Sequence, residues 1–444
     1  MTALPLRDLP EIAALDAPRA LVRIAPELDV PITDRVRRLI DTAPFRRLAR
    51  VRQLGLVALI YPGATHTRFE HSLGVYRLAL LFLRQLAQDD RFAATVSNRD
   101  ASLLVVAALL HDIGHWAFCH PIEDMRLPGV PHHEQLAERS LTTGELAEAL
   151  DRDWGISGVE VAELLAGKPA RPAARALSSI LAGPIDVDKM DYLARDSLHA
   201  GVPYGRNFDQ GRLIASLCLN EAGDSLAITD KGKTAAEMML FARYVMFSEV
   251  YWHHGVRAAT AMLQRAFYLL RARLDLPRLF ASDESETIAA LQRSAQDTPA
   301  AELLDGLFGA HRQLYKRVAQ CSWFENRPWF DRLARQPYTR LVACSERFAR
   351  AASKHLGDTI AAHEILFDAP PPGREIEFKV EVHFSKEGRY RALGDVSPVV
   401  RTLAKEQFDD FVKRVRLFAH SRVAARLRGH PRLAEMMDEA TEAQ

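Results

Sequence analysis

The chain has 444 residues, 48% of them hydrophobic, and its 58 lysines and arginines nearly cancel its 57 aspartates and glutamates. That size and apolar content fit one large core or two to three ordinary globular domains and exclude disorder on a large scale. The balanced charge gives no bulk cationic field for nucleic acid or an anionic membrane, so any anion site must be local. Four cysteines, Cys119, Cys218, Cys321 and Cys344, lie far apart with no Cys-x-x-Cys spacing. Free thiols in a reducing compartment are expected, not a disulfide frame or structural zinc.

The N-terminus, Met1 to Asp8, is broken by proline and charge and has no apolar stretch of signal-peptide length, so a cytoplasmic protein is expected. Residues 1–34 read as an N-terminal segment. Over residues 33 to 54, Val36, Leu39, Ile40, Phe45, Leu48, Val51 and Leu54 recur at threes and fours, predicting an amphipathic helix pair broken near Pro44. Two more helices are predicted over 72–88 and 101–112. The longest apolar run, Leu103 to Leu110, is far short of the ~20 residues that cross a bilayer and reads as a buried helix.

Residues 234 to 273 read as one long helical stretch. A break over 275–286, with Pro277, starts a second helical region reaching about Ile365. Pro370-Pro371-Pro372-Gly373 reads as a linker, Glu375 to Phe384 alternates as a strand, 400–427 returns to helix, and 436–444 reads as a frayed tail. The expected division is therefore 1–34, a core over 35–275, a helical region over 276–367, an α+β region over 368–435 and a tail over 436–444. The fold class is mainly α, a helical core with a small α+β C-terminal appendage. Neither an internal repeat nor a Gly-x-Gly-x-x-Gly or P-loop occurs, so a Rossmann or Walker nucleotide site is not supported.

The feature that carries chemistry is His111-Asp112, at the polar end of the apolar run. An imidazole beside a carboxylate suits Mn, Fe, Zn or Mg when further ligands arrive from elsewhere. Most isolated His-Asp pairs are surface or capping residues. Here His71, in Arg68-Phe69-Glu70-His71-Ser72-Leu73-Gly74, and Asp188, in Asp186-Val187-Asp188-Lys189-Met190-Asp191-Tyr192, complete a candidate set from three separated segments.

The ordered series Gln53-Leu54-Gly55, Pro62-Gly63-Ala64-x-His66-x-Arg68-Phe69-Glu70-His71-Ser72-Leu73-Gly74, His111-Asp112-Ile113-Gly114-His115, His133-Glu134-Gln135 and Asp186 through Asp196 resembles the HD-domain superfamily. Within it the match is to the deoxynucleoside triphosphate triphosphohydrolases, over about residues 35 to 275. The resemblance implies hydrolysis of a deoxynucleoside triphosphate to deoxynucleoside and intact triphosphate. It implies His71, His111, Asp112 and Asp188 as ligands of a divalent ion, Mn, Fe, Mg, Co or Zn. It also implies His115 and His120 as active-site histidines, and we expect His120 to be the general acid and His115 to contact the α-phosphate. Glu123 and His133 resemble a supporting carboxylate-histidine pair, with Glu134 behind them. Arg68, Lys189 and Arg243 match phosphate contacts, Tyr251 packs under the deoxyribose, Gln53 and Asp196 hold the 3′-hydroxyl, Tyr192 lines the sugar pocket and Leu54 lies against the base.

Two positions depart from the pattern: Trp116 replaces a small residue and is expected to narrow the pocket, and Cys119 replaces a serine. Asp41 matches part of the animal enzyme's regulatory site, but Ala49 stands where an arginine is expected, with Arg50 beside it, so guanine-nucleotide activation is not expected. The resemblance implies a homo-oligomer. A different HD phosphohydrolase, acting as a phosphodiesterase or phosphatase, would share the metal site; a binding module with a degenerate site is disfavoured by the complete ligand set.

Overall fold

The structure is a computed structural model that describes residues 6–167, 171–371, 379–403 and 411–442. A hairpin of β1 (Leu21–Ile24) and β2 (Leu28–Pro31) leads into α1 (Asp34–Ile40) and α2 (Ala43–Arg47). Thr33 caps α1 by accepting from the Val36 N–H, and Pro44 lies in the first turn of α2, where a missing N–H breaks no intrahelical bond. The expected helix pair is thus present, parted just ahead of the proline.

The two helices that carry the metal motif are α3 (Arg68–Leu86) and α4 (Asn98–Leu110). Thr67 caps α3 and a Ser97/Asp100 capping box opens α4, so both start a few residues before the apolar periodicity does. That early start places Arg68 and His71 in the first turn of α3. Every residue from Leu103 to Leu110 is at most 5% exposed, as expected for a helix apolar on all sides.

After α5 (Cys119–Glu123) and α6 (His133–Thr142) comes α7 (Val187–Ala200), opened by Asp186, whose carboxylate accepts from the Lys189 N–H. Then β3 (Leu217–Leu219) and β4 (Leu226–Thr229) precede α8 (Lys233–Met246), a π-helical turn over Phe247–Tyr251, and α9 (His254–Leu270). The single helix expected over 234–273 is therefore two. The inserted turn contains neither Pro nor Gly, so no breaker residue marks it in the sequence; such π turns recur at functional sites.

Farther on, α10 (Ala300–Phe308) and α11 (Tyr338–Leu356) lie in the second helical region, but β5 (Lys316–Cys321) stands between them. It belongs to a three-stranded antiparallel sheet ordered β5-β9-β6, with β6 at Ile365–Asp368. β7 (Glu381–Phe384) pairs parallel with β4 and antiparallel with β8 (Arg389–Ala392). The expected strand over 375–384 survives as β7; residues 375–378 of it, like Pro372 and Gly373 of the expected linker, lie outside the described residues. Pro370 is buried and its carbonyl accepts from Arg335 N at 2.8 Å.

The helix expected over 400–427 is interrupted by β9 (Val415–Ala419), whose five residues are all buried. A central strand covered on both faces does not alternate, so its sequence reads equally as buried helix. The tail is not frayed: α12 (Leu433–Glu442) buries Met436, Met437 and Ala440.

Two apolar cores result. One gathers α3, α4, α7 and α8, the other α9, α10, α11 and the β5-β9-β6 sheet. The chain passes from the first core at Ile113 to the second at Trp116, so the His111-Asp112 motif sits where the two meet. No helix among the described residues is long and apolar enough to cross a membrane.

Candidate active site

His111 caps the C-terminus of α4, where the last carbonyls lack intrahelical partners. Its Nδ1 donates to Ala108 O at 2.9 Å, which turns Nε2 outward. From the first turn of α3, His71 donates from Nδ1 to Asp191 Oδ2 at 2.8 Å, and its Nε2 stands 3.1 Å from His111 Nε2. A carbonyl and a carboxylate can only accept, so both neutral rings point lone pairs at each other. That arrangement is repulsive unless a cation or proton lies between them.

Two carboxylates converge on the same point. Asp188 Oδ1 lies 3.0 Å from His71 Nε2 and 3.7 Å from His111 Nε2, and Asp112 Oδ1 lies 3.4 Å from His111 Nε2. Donors held ~2.1 Å from one ion stand about 3 Å apart when adjacent and about 4 Å apart when opposite. The donor atoms of His71, His111 and Asp112 lie within 4.8 Å of one another and could hold a divalent cation, with Asp188 beside both imidazoles as a fourth donor. Burial opposes ionisation of Asp112, but His115, Arg68 and His111 outweigh it and hold the carboxyl well below the usual range. Arg68 Nη1 donates to Asp112 Oδ2 at 2.8 Å.

Sequence reasoning passed over the layer behind these residues. Asp191, which fixes the His71 tautomer, is itself gripped by Arg195 through Nε and Nη2, both at 2.8 Å, while Arg195 Nη1 reaches Glu70 at 2.7 Å. Such outer partners orient a ligating histidine and raise its basicity. A signal existed: Asp188, Asp191 and Arg195 fall at i, i+3 and i+7, one face of α7. Gly74 makes room for the pair, since a Cβ there would stand 2.0 Å from Asp191 Oδ1 and 2.4 Å from Arg195 Nη2.

A second cluster follows the motif. Gly114 lets the start of α6 approach, because a Cβ there would lie 2.1 Å from His133 O. Phe118, in the left-handed region at φ 60°, then turns the chain into α5. The result packs His115 against His133 with ring centroids 4.0 Å apart and against His120 at 5.0 Å. Glu123 accepts from the His133 N–H at 2.5 Å and from its Nδ1 at 3.1 Å, and lies 3.7 Å from His120 Nδ1. Burial would raise the Glu123 carboxyl, but its bonds with His120 and His133 hold it low. Burial, then Arg68, pushes His115 well below its ordinary value, leaving a neutral ring.

Beside both clusters opens a cavity of about 400 Å³. Gln53, Leu54, Arg68, His120, Tyr192, Asp196 and Tyr251 all line it, as do Phe247 and Trp252. Tyr251 donates to Asp196 Oδ2 at 2.6 Å and His66 Nε2 meets Asp196 Oδ1 at 2.8 Å. Burial and the Asp196 carboxylate push the Tyr251 phenol up, so it stays protonated. Gln53 Oε1 and Arg68 Nε are buried with no hydrogen-bond partner among the described residues, polar atoms aimed where a ligand could satisfy them.

Three expected residues stand outside both clusters and the cavity lining. Lys189 Nζ is engaged at 2.5 Å by Asp186 Oδ2. Arg243 lies over the ring of Phe247, its guanidinium carbon 5.5 Å from the centroid. Glu134 is exposed on α6 and outside both clusters, because the helix turns it away from the face that carries His133. Trp116 does not narrow the pocket: it is fully buried against Phe280, ring centroids 4.4 Å apart, inside the second core.

The chain has relatives among known proteins. The HD domain signature matches residues 68–196 and that of the HD associated region matches 208–430. An uncharacterized protein of Methanocaldococcus jannaschii is 31% identical over 397 residues, 86% of this chain and 76% of that one. The deoxynucleoside triphosphate triphosphohydrolase SAMHD1 of Gallus gallus is 32% identical over 260 residues, 52% of this chain and 42% of that protein. The chain therefore spans less than half the length of that relative. The crystal structure of a hypothetical protein from Aquifex aeolicus superposes with a TM-score of 0.71 at 27% identity, over 92% of this chain and 99% of that one. The HD signature opens at Arg68 and closes at Asp196, two residues of one cavity wall, and continues into the associated region, so this chain belongs to the HD-domain family of phosphohydrolases.

Proposed function

We propose that the chain hydrolyses deoxynucleoside triphosphates to deoxynucleoside and inorganic triphosphate, with a divalent cation held by His71, His111, Asp112 and Asp188. The observation that carries this reading is the adjacency of that donor set to a cavity whose far wall is Tyr251 bonded to Asp196. When bound, the cation supplies charge neutralisation at phosphate oxygens and a lowered pKa for the attacking water.

The chain's own groups do the rest. Arg68, anchored on Asp112, presents its unpartnered Nε toward the α-phosphate, with neutral His115 beside it. His120, 59% exposed at the cavity rim, delivers a proton to the departing 5′ oxygen, and Glu123 orients it together with His133. Asp196 and Gln53 hold the sugar 3′-hydroxyl, one of them accepting its single proton, Tyr192 and Tyr251 close around the ring, and Leu54 meets the base. Lys189 and Arg243 would have to turn from Asp186 and Phe247 to meet the outer phosphates.

That last point favours a second reading, a phosphodiesterase or phosphatase of this family acting on a nucleotide with fewer phosphates. One experiment separates them. The purified protein is incubated with each deoxynucleotide and ribonucleotide and with Mn, Mg, Fe, Co or Zn, and products are resolved by ion chromatography. Tripolyphosphate with free deoxynucleoside supports the proposal; pyrophosphate with monophosphate, or orthophosphate released stepwise, rejects it.

A further inference from the structure

Cys119, which the proposed reaction does not use, stands among three histidines that the reaction does use. A donor atom from each of His115, Cys119, His120 and His133 lies within 4.8 Å of the others. Cys119 is 1% exposed and His115 4% exposed. His115 Nδ1 has no hydrogen-bond partner among the described residues, although it stands 3.1 Å from Asp112 Oδ1. His133 is held through Nδ1 by Glu123, which leaves its Nε2 as the free donor, the carboxylate-histidine arrangement that typically backs a metal ligand. We propose that His115, Cys119, His120 and His133 form a second cation site, distinct from the His71, His111, Asp112 and Asp188 set, that takes a soft divalent ion of the zinc class and shuts the enzyme off when filled.

The chemistry of the two sets differs in kind. Two imidazoles with two carboxylates accept Mn, Fe, Mg, Co or Zn, whereas three imidazoles with a thiolate make an N₃S set that suits Zn and rejects Mg. Phe118 in its left-handed conformation turns Cys119 and His120 back toward His115, and Gly114 admits His133, so local backbone geometry assembles the set. Burial and the nearby Glu123 push the Cys119 thiol up, so it stays protonated until a cation arrives. Binding forms the Sγ–metal bond and releases that proton to solvent. The His120 nitrogen that accepts the metal can no longer carry a proton to a leaving group. Inhibition thus rests on the function proposed above, but occupancy of the site does not.

The test begins with protein loaded with one Mn per chain and titrated with Zn, bound metals being counted by elemental analysis. The wild type should take one Zn while keeping its Mn, and its Mn-supported rate should fall in step with Zn occupancy. In Cys119→Ser, Zn affinity should drop ~10-fold or more, and the inhibition curve should shift by the same factor relative to that variant's own Mn-supported rate. Co in place of Zn should give a near-ultraviolet thiolate-to-metal band in the wild type and in Asp188→Ala, but not in Cys119→Ser. This readout needs no substrate and stands even if the substrate assignment fails. Zn displacing Mn one for one, equal Zn affinity in wild type and Cys119→Ser, or absence of the thiolate band in wild type would each overturn the proposal.

Discussion

Asp191→Asn isolates the layer behind the candidate metal ligands with almost no change of shape. Burial opposes ionisation of Asp191, yet Arg195 and His71 bring its carboxyl down to about 2. Against an unfolded value near 3.9, a shift of that size contributes roughly 2–3 kcal/mol at neutral pH. Because the folded value is the lower one, that contribution is present above about pH 4 and fades as pH falls through 2. Arg195 keeps Glu70 at 2.7 Å, so the buried guanidinium is not stranded and the loss should stay below the ~3–5 kcal/mol typical of breaking a buried pair outright. The metal-free Asp191→Asn variant should therefore melt lower than wild type at pH 7, and the gap should narrow as pH drops below about 4. A neutral amide also leaves His71 less basic, so Mn affinity should weaken ~10–100-fold, about 1.4–2.7 kcal/mol. Melting scans across pH and Mn titration followed by electron paramagnetic resonance measure both effects. Wild-type Mn affinity in a variant that has lost the stability would show that Asp191 serves only the fold.

Gly114→Ala places a Cβ 2.1 Å from His133 O and 2.4 Å from Ala137 N, backbone that cannot yield without moving α6. The variant should keep its Mn stoichiometry and lose most turnover, and full activity would mean that His133 is not needed where it stands. His120→Ala should lower kcat by ~100-fold or more with KM little changed; near-normal turnover at saturating substrate would move the acid role to His115 or His133. Tyr251→Ala removes the wall of the sugar pocket and the bond to Asp196, so the ratio of ATP to dATP hydrolysis should rise. Equal wild-type activity on the two nucleotides would show that Tyr251 excludes nothing.

The helices of the N-terminal quarter were readable from the chain alone. α1 to α4 follow from apolar spacing and from Thr33, Thr67 and Ser97 as caps, because those forces act within a turn or two. The candidate metal set was readable for a related reason: His111-Asp112, His71 and Asp188 each sit in a short segment of distinctive composition. What local spacing could not carry was decided by contacts between distant segments. β9, buried on both faces, and β5, half-buried along most of its length, do not alternate and so read as helix, and only pairing between residues 316–321 and 415–419 makes them a sheet. The π turn that ends at Tyr251 contains neither Pro nor Gly and so carries no breaker signal. Asp191 carried no assigned role in the sequence, and only the fold set it 2.8 Å from His71. Trp116 looked like a pocket wall until the second core claimed it. Residue type and spacing determined which groups could do chemistry here; the meeting of two cores, which no local pattern encodes, decided which of them face one another.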